Sequence, residues 1–73
     1  MEKLINALEQ IKDEAITEMV AMEIGSFEFV KAANEIAEIT YSIENAHNEA
    51  ELRQMLYRTT SDKLCAVIHE YLK

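Results

Sequence analysis

The sequence contains no proline and no tryptophan, one glycine, one cysteine, and seven basic residues against fourteen acidic ones in 73 positions. Each shortage excludes something. Without proline and with a single glycine, little interrupts a helix, so helices are the expected default. A lone Cys65 cannot form an internal disulfide, which removes a disulfide scaffold and favours a reducing, cytoplasmic setting. No apolar run approaches the roughly 18 residues needed to span a bilayer. Met1 to Ile5 lack the basic stretch and apolar core of a secretory leader, so none is expected. A net charge of −7 opposes the phosphate neutralisation on which nucleic-acid binding rests, and opposes docking on anionic lipid. Neither nucleic acid nor membrane is therefore an expected partner.

What remains is a globular composition. Hydrophobic residues make up 49% of the chain, too many for a disordered acidic tail. The length suits one domain, residues 1–73, with a small core. Small cores leave a thin stability margin, so a homodimer is expected as a route to further burial.

Apolar periodicity predicts an all-α helical bundle: a long antiparallel hairpin of helices over about 2–24 and 27–46, then shorter helices over about 49–58 and 61–72. In the first, Leu4, Leu8, Ile11, Ala15, Met19 and Met22 form one stripe. In the second, Phe29, Ala32, Ile36, Ile39 and Ile43 alternate spacings of three and four, the seam of a helix packed closely on another. Ala33, Ala37 and Tyr41 are expected to widen that seam, with Glu28, Lys31, Glu35, Glu38 and Ser42 facing water. Gly25 is suited to a left-handed helix stop, and Ser26 to the next N-cap. Asn48 with Glu51 resembles a capping box, and Thr59 or Thr60 is the expected cap of the last helix.

The charge is unevenly placed. Residues 1–47 hold ten acids and three bases, whereas residues 48–73 hold four of each. The whole excess therefore belongs to the hairpin. An acidic helical face can steer a protein with a basic surface onto itself. The expected partner-binding residues are Glu9, Asp13, Glu28, Glu35 and Glu38 on that face, with apolar Val20, Ile24 and Phe27 at the hairpin tip. Those three could anchor either the partner or a second copy.

Catalytic chemistry finds little to build on. Phosphate-cradling glycine loops, paired Cys-x-x-Cys motifs and nucleophile elbows are missing from the sequence. Asp13 and Glu14 are adjacent, which on a helix points them about 100° apart. Cys65 has no neighbouring His or base to activate it. Glu44 and His47 match Glu-x-x-His, a ligand pair of di-iron helical bundles. A small metal-binding bundle, completed on dimerisation, is thus the alternative reading. The principal expectation is a non-enzymatic, cofactor-free interaction module, regulatory or inhibitory in role, that acts by holding a protein partner.

Overall fold

The structure, a computed structural model, describes residues 2–73. Four helices follow one another: α1 (Glu2–Met19), α2 (Phe27–Glu44), α3 (Glu49–Arg58) and α4 (Asp62–Leu72). No strand is present among the described residues. The all-α bundle expected from periodicity is what forms. Helices α1 and α2 pack most extensively on each other. Their direction is antiparallel, since Glu9 and Ile16 of α1 share a groove with Thr40, Ile43 and Glu44 of α2, whereas Glu18 and Met22 share another with Lys31, Ala32 and Glu35. Helix α4 packs against α1, and α3 bridges α4 and α2.

One apolar cluster joins all four helices. It is built on Leu4, Leu8 and Ala15 of α1, Ile39 of α2, Leu52 and Met55 of α3, and Leu64 and Ile68 of α4. Leu8, Ile39, Leu64 and Ile68 are completely buried, so each contributes on the order of 2 kcal/mol through removal from water. The α1 stripe is as expected: Leu4, Leu8 and Ala15 lie inside, with Ile11 packed beside them.

Helix α1 ends earlier than periodicity suggested, at Met19 instead of near residue 24. Its last bonds tighten to the i→i−3 kind, Ala21 N–H to the Glu18 carbonyl and Met22 N–H to that of Met19. Two physical reasons account for this. Helices of this length draw their stability from packing, and Val20 and Ile24 have nothing to pack on, being 74% and 84% exposed. The last turn also carries no basic side chain to complement the carbonyl end. Residues 20–26 thus form a seven-residue tip instead of a two-residue connection. Gly25 still supplies the left-handed backbone, at φ 86°, but within this tip instead of at the helix end. Ser26 caps α2 as expected, its Oγ accepting from Phe29 N–H at 3.1 Å.

Helix α2 stops at Glu44, two residues before the expected end. Asn45 ends it by donating both its backbone N–H and its side-chain amide to the Tyr41 carbonyl. Helix α3 has the expected bounds, and Asn48 caps it by accepting from Glu51 N–H at 3.2 Å. The capping box is only half made. The Asn48 N–H goes to the Asn45 carbonyl at 2.9 Å, which leaves the Glu51 carboxylate free to accept from the Tyr41 hydroxyl at 2.7 Å. Ser61, neither Thr59 nor Thr60, caps α4, its Oγ accepting from Leu64 N–H at 3.1 Å.

Candidate protein-interaction surface

The burial of α2 is rotated relative to the seam its sequence suggests. Ala32, Ile39 and Ser42 are its buried residues. Ser42, expected to face water, is 1% exposed and donates to the Glu38 carbonyl. Ala33 and Ala37, expected to widen the seam, are exposed instead. Rotation of roughly 50° about the helix axis, at about 100° per residue, relates the two faces. The cause is the seat that α2 provides for the α3–α4 turn.

That seat uses two of the acids expected to meet a partner. Glu38 Oε1 accepts from Thr59 Oγ1 at 2.8 Å, and Glu35 Oε2 accepts from Ser61 Oγ. Each hydroxyl also accepts a backbone N–H, Thr59 from Ser61 at 3.0 Å and Ser61 from Leu64. The result is a two-rung ladder in which carboxylates of α2 hold the hydroxyls that shape the turn. Hydrogen bonds to ionised acceptors are among the stronger ones a protein makes. Glu35 and Glu38 are half-buried in this arrangement, so they do not form part of a free acidic face.

A second tie involves Lys63, at the start of α4. Its ammonium lies 3.3 Å from Glu18 and 3.8 Å from Glu14, both on α1. The hydrogen bond to Glu18, then the charges of Glu18, Glu14 and Glu35, hold its pKa above the ordinary lysine value against a smaller opposing effect of desolvation. A third tie is Tyr41. Its hydroxyl bond to Glu51 is the main cause raising its pKa, and Arg58 stacks 5.4 Å from its ring centre. Exposure weakens both ties in water.

At the hairpin tip, three apolar residues are exposed. Phe27 is 79% exposed, beside Val20 and Ile24, and the three lie within eight consecutive positions. Glu23 and Glu28 accompany them, exposed and outside the ion pairs formed among the described residues. Glu9 and Asp13 stay on the open outer face of α1, with Asn6, Gln10 and Thr17. Three exposed apolar residues and two carboxylates outside the ion pairs thus fall within residues 20–28, at the hairpin connection. The acids expected on α1 and at the tip are open; those in the middle of α2 are used internally.

Glu44 and His47 do not meet the geometry a helical metal pair requires. Helix α2 ends at Glu44, and His47 lies in the turn beyond it, so the regular spacing that aligns Glu-x-x-His ligands is broken between them. Both side chains are exposed, and no group of three or more His, Cys, Asp or Glu able to hold a metal ion occurs among the described residues. Cys65 is half-buried on α4. No described helix is long and apolar enough to cross a membrane. No protein-family model, curated protein or solved structure matches the chain.

Proposed function

We propose that this protein is a non-enzymatic, cytoplasmic, homodimeric interaction module that regulates or inhibits a protein partner by holding it at the hairpin tip. One observation supports this reading above the others: Val20, Ile24 and Phe27 are left 74–84% exposed at one connection, whereas the other large apolar residues are mostly covered, Tyr57 of α3 at 91% being the chief exception. Clustered apolar anchors of this kind mark interaction sites. The unpaired Glu23 and Glu28 beside them give the partner its chemistry, an apolar pocket or ridge flanked by Lys or Arg. Charge of opposite sign speeds and orients such an encounter.

The reading is tested by affinity capture from the native cell in parallel with the Ile24→Ser and Phe27→Ser variants. The wild type is expected to retain a protein with a basic surface that both variants release, with retention falling as salt rises. Retention that survives both tip substitutions would overturn the assignment of the tip.

A further inference from the structure

We draw no further inference here: the strongest candidate, the cleft between the end of α1, the start of α2 and the α3–α4 turn, lined by Glu18, Glu28, Lys31 and Lys63, carries nothing because it is an acidic cluster beside the N-terminus of α4 whose Lys63 is already held by Glu18 and into which no unpartnered buried side chain points among the described residues.

Discussion

The two flanks of α2 have opposite composition and opposite fates. One carries Glu35, Glu38 and Ser42 and is covered by the α3–α4 turn; the other carries Val30, Asn34 and Ala37 and is open to solvent. Hydrophobicity alone would assign them the other way round. The polar flank is covered because its acceptors match donors. Thr59 and Ser61 must present hydroxyls to shape the turn and cap α4, and a hydroxyl leaving water needs a partner. Two carboxylates one helical turn apart provide it. The other flank meets the rest of the chain only towards its end, where Tyr41 donates to Glu51 and lies under Arg58.

Substitutions on the covered flank should be costly in proportion to how completely each group is enclosed. The largest effect belongs to Ser42→Glu. This residue is 1% exposed, and an uncompensated buried charge costs at least about 3 kcal/mol, a large share of what a small domain holds. Thermal unfolding should show a chain that is mostly unfolded or melts far below the wild type. A variant that melts normally would mean the turn does not close over this flank.

An intermediate effect belongs to Ser61→Ala. It removes the cap of α4 and takes from Glu35 its hydroxyl donor. The expected loss is about 1–2 kcal/mol, read from urea unfolding with an unchanged denaturant slope. Ser61→Thr should recover part of it. A loss equal to that of Thr60→Ala, whose side chain takes part in neither rung of the ladder, would remove the ladder from the account.

The smallest effect is the response to alkali. Lys63 and Tyr41 both have folded pKa values raised above their ordinary ones, chiefly by bonds to Glu18 and Glu51. A raised folded pKa means the contribution is complete below the unfolded value and is lost as pH climbs through the folded one. Both ordinary values lie near 10. Melting temperature should therefore stay level from neutral pH towards about 10 and decline above it. The double variant Lys63→Met, Tyr41→Phe should decline less over the same range. An equal decline would show that these ties do not hold α3 and α4 to the hairpin.

Much of this architecture is readable from the residues. The apolar stripe of α1, the caps Ser26 and Asn48, and the bounds of α3 follow from patterns confined to a few neighbouring positions. The pairing of Glu49 with Arg53, at 2.9 Å, is equally local. Val20 and Ile24 are exposed in the connection between α1 and α2, and Phe27 at the first position of α2. What is not readable depends on partners distant in sequence. Glu35 meets Ser61 across 26 positions, Glu38 meets Thr59 across 21, and Lys63 meets Glu18 across 45. A wheel drawn for one helix sees none of these, so it sends the carboxylates to water and the alanines to the core. The end of α1 is misplaced for a related reason. Residues 20–24 are apolar enough to continue a helix, but only tertiary packing decides whether they do.

Residues 37 and 38 are adjacent and lie on different flanks, about 100° apart, so urea unfolding of Ala37→Glu beside Glu38→Ala tests the difference between the flanks most directly. Ala37→Glu should unfold at nearly the wild-type denaturant concentration, because its side chain stands in solvent. Glu38→Ala should unfold earlier, because the Thr59 hydroxyl loses the carboxylate that accepts from it. Equal midpoints, or a larger loss in Ala37→Glu, would contradict this division of α2 into a covered flank and an open one.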